Sequence, residues 1–279
     1  MNVKSATLRR ILHKQYALPS EHGAWIWWIG PMLIGVAAGG QPGTSAILLF
    51  LAACLAFLSR QPTTMAVKAL SGRRPRGDLA PSLFWLGLYA ALSLAALLAI
   101  PRADSSRLIW LALPGLPVFA WHLWLVSRRA ERGKRGVELA AAGVLALAAP
   151  AGYWSSGGVV DRTAWILWAL TWLQSAASIV LVYQRLEQRS LAQTPPAGER
   201  WRAGRRTLLY HGFNALISLA MALALLVPAG VLVAFSSMLV DAAFSVARPP
   251  LGAKPRAIGL RQLAMSSLFT VLVSLSYLL

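Results

Sequence analysis

The sequence has few acidic residues and almost no cysteine. Nine Asp and Glu residues stand against 27 Lys and Arg residues, and Cys54 is the single cysteine of the chain. One cysteine excludes an intrachain disulfide, and its position within an apolar run indicates a packing role. The chain therefore cannot be a small disulfide-stabilised domain.

The motifs of common soluble enzymes are absent as well. The sequence contains no P-loop signature, no glycine-rich dinucleotide-binding motif and no nucleophile-elbow motif. Its histidines and acidic residues show no HxxxH or HxxE spacing, and a lone cysteine cannot form CxxC. We therefore predict no metal site and identify no cofactor from the sequence.

Apolar sequence is what the chain has in abundance. Hydrophobic residues make up 57% of the chain and charged residues only 13%. A soluble domain of this length leaves about a quarter of its chain area exposed and could not hide so much apolar surface. The apolar runs do not alternate with period 2, so they predict membrane-spanning helices.

Charged segments and Pro- or Gly-rich segments divide the apolar sequence into nine predicted spans. We place them at residues 22–40, 44–62, 80–100, 107–127, 137–154, 163–184, 207–227, 229–247 and 262–279. The predicted fold class is an all-α, polytopic membrane bundle of nine transmembrane helices, formed by one transmembrane domain over residues 1–279.

The Lys and Arg residues alternate between the two sides of these spans. Of the 27 residues, 24 fall in segments on one side, and the other side holds only Arg102, Arg107 and Arg162. Cytoplasmic segments collect Lys and Arg, so we expect the N-terminus inside and the C-terminus outside. The same rule accounts for the net charge of +18 without a nucleic-acid partner.

Three cytosolic segments follow from this topology. Residues 1–20 form a basic, amphipathic N-terminal segment without a small-residue cleavage site, so we expect it to be retained. Residues 63–79 and 185–206 form two basic cytosolic loops. Both loops lie on the same side of the membrane as the N-terminus.

Polar side chains within the predicted spans need an explanation, because an ionisable group inside the membrane costs a few kcal/mol. Most of them lie in the cytoplasmic half, so one polar cavity open to the cytoplasm would account for the set. Asp241 lies deepest among the charged groups and requires a partner, which leaves a structural ion pair and a functional site both open. The predicted lining of the cavity comprises Gln174, Ser178, Tyr183, His211 and Asn214.

The cations near the helix ends suggest an anion site. Lys and Arg side chains bind phosphate strongly, and Arg does so through two hydrogen bonds. A polyprenyl diphosphate or a phospholipid head group would suit Arg60, Lys68, Arg185 and Arg248. The alternative is that these residues only set the topology and contact anionic lipid without specificity.

Three segments carry a resemblance to a known family. The segments PSEHGAWIWWIGPMLIG, FLSRQPTTMAVK and KPRAIGLRQL resemble the YwiC-like family of bacterial integral membrane proteins. The P-x-EHGAW opening is the most specific element. The resemblance implies a multi-pass protein of the bacterial cytoplasmic (inner) membrane, and it implies no particular reaction.

A more distant likeness is to the UbiA superfamily of intramembrane prenyltransferases. Those enzymes have nine helices, and their functional cytosolic loops follow helices 2 and 6, where residues 63–79 and 185–206 lie here. Pro31 and Gly35 also match the Pro and Gly common in their first helix. The resemblance implies a UbiA-like bundle.

The chain departs from that superfamily at the metal site. UbiA enzymes hold Mg²⁺ through two Asp-rich motifs, and cations or neutral residues replace those motifs here. The substituting residues are Arg60, Gln61 and Lys68 at the first motif and Tyr183, Arg185 and Glu187 at the second. Mg²⁺ binding by paired carboxylates is thus not expected, and either cations bind the anion directly or the chemistry is lost.

Our first functional hypothesis is a UbiA-like protein that binds an anionic isoprenoid or lipid, with or without metal-independent transferase activity. In it the four cations named above hold the phosphate, and Glu21, His22 and Asp241 supply acid/base or orienting groups. The expected partner is a membrane lipid or a polyprenyl phosphate, not nucleic acid. A transporter or permease and a non-catalytic membrane assembly protein remain as alternatives.

Overall fold

The computed structural model describes residues 11, 13–19, 25–130, 133 and 135–279, without the side chains of residues 102–105. Within these residues the regular structure is helical throughout, and no strand occurs. Glu21 and His22 lie outside the described residues, so their predicted roles stay predictions.

Twelve α-helices occur in the described part of the chain, together with a 3-10 turn at Arg76–Asp78. The helices are α1 Lys14–Ala17, α2 Ile26–Gly39, α3 Thr44–Leu70, α4 Leu79–Leu98, α5 Arg102–Ala112, α6 Gly115–Ser127, α7 Arg135–Leu145, α8 Ala148–Ser155, α9 Arg162–Gln188, α10 Ala197–Leu223, α11 Ala229–Ala247 and α12 Pro255–Leu278.

Seven stretches of the described chain are long and apolar enough to cross a membrane. These stretches are Thr44–Leu70, Arg76–Leu98, Ser106–Ser127, Arg135–Ser155, Arg162–Gln188, Ala229–Ala247 and Pro255–Leu278. Each coincides with a span predicted from the sequence. The chain is therefore an all-helical protein with the composition of a multi-pass membrane protein.

The other two predicted spans, 22–40 and 207–227, are not among the helices of the described residues that are long and apolar enough to cross a membrane. Helix α2 has 14 residues, which is about 21 Å of helix against a hydrocarbon core of about 30 Å. Helix α10 ends at Leu223, four residues before the predicted end of the second span, and carries four arginines in its first three turns. The predicted number of nine spans therefore stays a prediction.

The two basic segments predicted as loops are more helical than expected. Helix α3 runs past Pro62 and ends at Leu70, so it includes Lys68. Pro62 leaves the Leu58 carbonyl without its i+4 donor, and the Thr63 hydroxyl of the next turn donates to the adjacent Ser59 carbonyl at 2.7 Å. In the second segment only residues 189–196 lie outside a helix.

The chain divides into two compact units. The first consists of Met1–His22 and Pro42–Val137, and the second of Gly23–Gln41 and Glu138–Leu279. The first unit thus contains α1 and α3–α6, and the second contains α2, α8–α12 and most of α7.

In the first unit, side chains of α3, α4 and the 3-10 turn hydrogen-bond to residues of α1. The Tyr16 hydroxyl donates to Asp78 Oδ1 at 2.8 Å. The Tyr89 hydroxyl donates to the Ala17 carbonyl at 3.0 Å, and Gln61 Nε2 donates to the Gln15 carbonyl at 3.0 Å. Tyr16 is fully buried, so α1 packs as part of the unit.

In the second unit, glycines allow α2 and α8 to pack backbone against backbone. A Cβ atom on Gly35 would collide with the Ala149 carbonyl oxygen, and one on Gly152 would collide with the Met32 carbonyl oxygen. Aliphatic and aromatic side chains complete the core. The rings of Phe235 and Phe269 meet edge to face, with their centroids 4.9 Å apart. This core fixes the positions of α9, α11 and α12.

Candidate functional site

Asp241 lies between two arginines at one end of the second unit. Its Oδ2 accepts a hydrogen bond from Arg185 Nη2 of α9 at 3.0 Å. Its Oδ1 accepts from Arg261 of α12, at 2.5 Å from Nη2 and 3.2 Å from Nε. The sequence predicts one partner for this carboxylate, and the structure has two, Arg185 and Arg261.

The two arginines differ in exposure. The side chains of Arg185 and Asp241 are 3% and 7% exposed, whereas that of Arg261 is 44% exposed. Arg185 Nη2 also donates to Ser245 Oγ, whose hydroxyl donates to the Asp241 carbonyl at 2.6 Å. Arg185 Nη1 is buried, and no described residue accepts a hydrogen bond from it. The hydrogen-bond donors of the Arg185 guanidinium group are thus only partly satisfied.

The charges of this cluster do not balance. Arginine stays protonated in proteins, so two guanidinium groups share one carboxylate and leave an excess of one positive charge. An unpaired charge away from bulk water is costly. The arrangement is therefore suited to receive a further negative group.

An exposed aromatic ring lies beside the cluster. Phe244 is 44% exposed, and the guanidinium carbons of Arg248 and Arg261 lie 5.2 and 5.3 Å from its ring centroid. These distances allow cation–π contact with both arginines. The side chains of Lys254 and Arg256, at the start of α12, are exposed. The surface combines cations with an apolar face.

The spacing of the residues along α11 explains how they come together. Asp241, Phe244, Ser245 and Arg248 follow each other at i, i+3, i+4 and i+7, which places them on one stripe of a helix. Side chains from α9 and α12 complete the cluster. We use the name arginine site for Arg185, Asp241, Phe244, Ser245, Arg248 and Arg261.

A second group of polar residues links α9 to α12. Gln174 Nε2 donates to Ser178 Oγ at 3.0 Å and to Ser266 Oγ at 3.3 Å. Gln262 Nε2 donates to Ser178 Oγ at 2.9 Å. All four residues are buried, and we call them the amide–hydroxyl cluster. Polar pairs of this kind hold membrane helices together.

A small cavity adjoins the amide–hydroxyl cluster. Its volume is about 10 Å³, enough for a single water molecule but far too small for a lipid chain. Gln174 and Ser178 line it, and Tyr183, His211 and Asn214 are not among its lining residues. The predicted cavity open to the cytoplasm stays a prediction.

Those three residues have hydrogen-bond partners elsewhere in the second unit. The Tyr183 hydroxyl donates to Glu138 Oε1 at 2.7 Å, and Asn214 Nδ2 donates to the Leu173 carbonyl at 2.9 Å. His211 Nδ1 lies 2.9 Å from the Thr207 carbonyl of its own helix. Their polarity is accounted for by helix packing.

The predicted phosphate-binding cations are divided between the units. Arg60 and Lys68 lie on α3 of the first unit and are half-buried. Arg185 and Arg248 belong to the arginine site of the second unit. The first unit has its own ion pair, in which Arg74 Nε contacts Asp78 Oδ2 at 2.7 Å.

Sequence reasoning missed Arg261, Phe244 and Ser245 as site residues. Arg261 is counted there as a loop cation, because span 9 is placed from residue 262, whereas α12 begins at Pro255. A proline at the first helical position is a recognised start signal. It could have moved the predicted helix start back and brought Arg261 onto the helix.

Within the described residues, no three His, Cys, Asp or Glu side chains lie close enough together to hold a metal ion. The expectation that Mg²⁺ is not bound by an Asp-rich mechanism stays a prediction.

Comparisons with known proteins agree with the predicted family resemblance. The model of the family described as YwiC-like protein matches residues 18–153. A Bacillus subtilis (strain 168) protein, named as uncharacterized protein YwiC, is 28% identical over 180 residues, which cover 63% of this chain and 70% of that protein. No solved structure matches the chain. The resemblance to YwiC-like proteins is thus confirmed, and the arginine site lies beyond the residues that the family model matches.

Proposed function

Starting from this similarity to YwiC-like membrane proteins, we propose that the chain binds an anionic isoprenoid or lipid through its phosphate group at the arginine site. The observation that carries the proposal is the shared carboxylate. Asp241 neutralises only one of the two guanidinium groups that contact it, and Arg185 Nη1 has no acceptor among the described residues. A phosphate would supply both the missing charge and the missing acceptor.

The outer face of the site suits an amphiphile. Arg248 and Arg261 are exposed, and guanidinium groups bind phosphate oxygens in pairs. The ring of Phe244 lies between them and offers apolar surface to the first carbons of a hydrocarbon chain. The small cavity beside the amide–hydroxyl cluster has no part in this binding, since it cannot admit a chain.

The geometry favours an orienting role for Asp241 over an acid/base role. Both of its carboxylate oxygens accept hydrogen bonds from guanidinium groups, so neither is free to take a proton from a substrate. Arg185 holds Asp241 in place, and Asp241 in turn holds Arg261. We therefore propose binding as the primary function. A transferase reaction through Glu21 and His22 is a second, more specific proposal.

The proposal includes a topology. We propose nine transmembrane helices in a UbiA-like bundle in the bacterial cytoplasmic membrane, with α2 and α10 as the two spans beyond the seven apolar stretches. The N-terminus faces the cytoplasm, as the distribution of Lys and Arg favours. The arginine site, between the end of α9 and the start of α12, then lies near the cytoplasmic surface.

Binding of a polyprenyl phosphate to the purified chain in nanodiscs of zwitterionic lipid tests the proposal. We expect Arg261→Ala to weaken binding by about tenfold or more, which is the loss of roughly 1.4 kcal/mol or more of interaction. Arg256→Ala is the matched control, because Arg256 is an exposed cation of the same helix outside the site. Equal affinities for the two variants would mean that binding is unspecific surface attraction.

The amide–hydroxyl cluster favours transport as a second candidate function. It places hydrogen-bonding groups deep between α9 and α12, where a solute path would need them. Solute flux into proteoliposomes that Gln262→Leu abolishes, while circular dichroism shows that this variant stays folded, would support a transporter over a binding protein.

A further inference from the structure

Four consecutive helices of the second unit, α9–α12, each supply an arginine at the same end of that unit. They are Arg185 of α9, Arg200 of α10, Arg248 directly after α11 and Arg261 of α12. The connections between these helices are short, so consecutive helices run antiparallel, and the ends of α9 and α11 lie beside the starts of α10 and α12. Three of the four arginines belong to the arginine site, and Arg200 does not.

Arg200 is fixed against the C-terminal end of α11. Its Nη1 donates to the Ala247 carbonyl at 2.9 Å, one residue before Arg248. Gly204, one turn further along α10, lets the two helices approach, because a Cβ atom there would collide with the Val246 side chain. Arg200 Nε is buried, and no described residue accepts a hydrogen bond from it. The Arg200 guanidinium group therefore lies beside the arginine site with a donor unused.

Two buried guanidinium donors at this end of the unit thus lack an acceptor among the described residues. They are Arg185 Nη1 and Arg200 Nε. The two guanidinium groups contact Ser245 and Ala247, which are about 3 Å apart along the axis of α11. A buried donor without an acceptor is costly. A ligand group with several oxygen atoms would offer acceptors to both.

The charge at this end of the unit is strongly positive. Residues 185–206 and 241–261 contain ten Lys and Arg residues and three acidic residues. Glu187 and Glu199 are exposed, so water and salt screen their charges. Asp241 is already shared by two guanidinium groups. The four arginines and Asp241 together carry a net charge of +3, which a ligand with a single negative charge would leave largely uncompensated.

We propose that the arginine site, together with Arg200, selects a terminal phosphate group over the phosphodiester group of ordinary phospholipids. A terminal phosphate has three acceptor oxygens and a charge of about −1.5 to −2 at pH 7, whereas a phosphodiester has one negative charge. The inference rests on the proposed function and names the chemical class of its ligand. It makes Arg200 a specificity-determining residue, because its cation and its unused donor are what the extra oxygen and the extra charge would satisfy.

The apolar side of the site agrees with this choice. A terminal phosphate has one organic substituent, whereas a phosphodiester has two. The ring of Phe244 lies between Arg248 and Arg261 and offers one apolar surface beside the cations. One hydrocarbon chain leaving a phosphate at this place suits the arrangement.

Competition against a labelled polyprenyl phosphate tests the proposal, with the purified full chain in nanodiscs of zwitterionic lipid. The competitors are short-chain phosphatidic acid and phosphatidylglycerol with identical acyl chains, which differ in having a terminal phosphate or a phosphodiester. We expect phosphatidic acid to compete about tenfold or more strongly. Glycerol 3-phosphate carries the same terminal phosphate without acyl chains and should compete more weakly than phosphatidic acid.

Substitution of Arg200 tests its part in the selection. Arg200→Gln should reduce the preference for phosphatidic acid by about threefold or more, with little change in the affinity for phosphatidylglycerol. Arg200→Lys keeps the charge and should retain part of the preference. Arg202→Gln is the matched control, because Arg202 is an exposed cation of the same helix, and it should retain the whole preference. Circular dichroism checks that each variant is folded.

The possible failures are distinguishable. Equal competition by phosphatidic acid and phosphatidylglycerol would overturn the selectivity and leave the proposed binding of an anionic lipid intact. An equal loss of preference in Arg200→Gln and Arg202→Gln would overturn the role of Arg200 and reduce the effect to surface charge. Polyprenyl phosphate binding that Arg261→Ala leaves unchanged would contradict the proposed function itself. Equal competition by glycerol 3-phosphate and phosphatidic acid would support the terminal phosphate but assign it to a soluble ester, against the proposed lipid.

Discussion

At the scale of single residues, the buried pair of Arg185 and Asp241 carries a large desolvation cost that only good hydrogen-bond geometry can offset. Moving charges out of water costs several kcal/mol per ion, and their attraction recovers this only with good geometry. The pair has that geometry, with Ser245 adding a further hydrogen bond to Arg185. It is therefore the place where a single substitution has the largest expected effect on stability.

We predict that Asp241→Asn destabilises the protein more than Arg185→Met does. Removing the carboxylate leaves two guanidinium groups without their partner and should cost about 3–5 kcal/mol, whereas Arg185→Met leaves Arg261 to pair with Asp241. Denaturation in mixed detergent, followed by circular dichroism, measures the difference. Arg74→Met, which breaks a partly exposed pair with Asp78, serves as a milder reference.

The sequence allowed part of this site to be predicted. The depth of Asp241 in its span required a partner, and Arg185 and Arg248 were expected to bind an anion at the same face. The pairing itself could not be predicted, because the distance between α9 and α11 depends on packing across the unit. Arg261 was missed because a shift of the helix start by seven residues turns a loop cation into a helix cation.

At the scale of helices, the crossing of α2 and α8 depends on glycine. Gly35 and Gly152 let the two backbones touch, and any side chain at either position would meet a carbonyl oxygen of the opposite helix. Close contact of this kind drives helix association where water exclusion cannot. The crossing also positions Trp27 and Pro31 at the cavity.

We predict that Gly35→Ala and Gly152→Ala each lower the unfolding temperature, because the added methyl group forces the two helices apart. Gly87→Ala is the matched control, since Gly87 lies in helix α4 with open space around its Cβ position. There the better helix propensity of Ala should stabilise by about 0.5–1 kcal/mol. A fall in unfolding temperature for Gly87→Ala as large as for the other two would show that helix backbone effects, not the crossing, decide the result.

The elements themselves were more predictable than their ends. Apolar runs identified the seven long apolar stretches, since length and hydropathy are properties of the sequence alone. The extension of α3 beyond Pro62 was not predicted, because proline is usually a sign of a helix end. Neighbouring hydroxyl and carbonyl groups determine whether a helix continues past a proline, and their positions depend on the fold.

At the scale of the whole molecule, charge sets the expected orientation. In the predicted nine-span topology, 24 cations lie on one side and three on the other, and such a bias orients multi-pass proteins. Seven and nine spans both place the two termini on opposite sides. The number of spans and the orientation therefore need separate tests.

We predict that alkaline phosphatase fused after Leu279 is active in the periplasm and that a fusion after Gly72 is inactive. A fusion after Gln41, which follows α2, should be active if α2 crosses the membrane. Measured activities, normalised to the amount of each fusion protein, decide between the topologies. An inactive Gln41 fusion together with an active Leu279 fusion would contradict nine spans and leave the orientation intact.

The contact of α2 with α8 also has a mechanical consequence. Two backbones that touch without intervening side chains have nothing to rearrange between them, so α2 and α8 should move as one rigid body. By contrast, α12 meets α9 through hydrogen bonds of Gln262 and Gln174, which can exchange partners. A molecule that enters the cavity would therefore enter by displacement of α12, with the α2–α8 pair as the fixed wall.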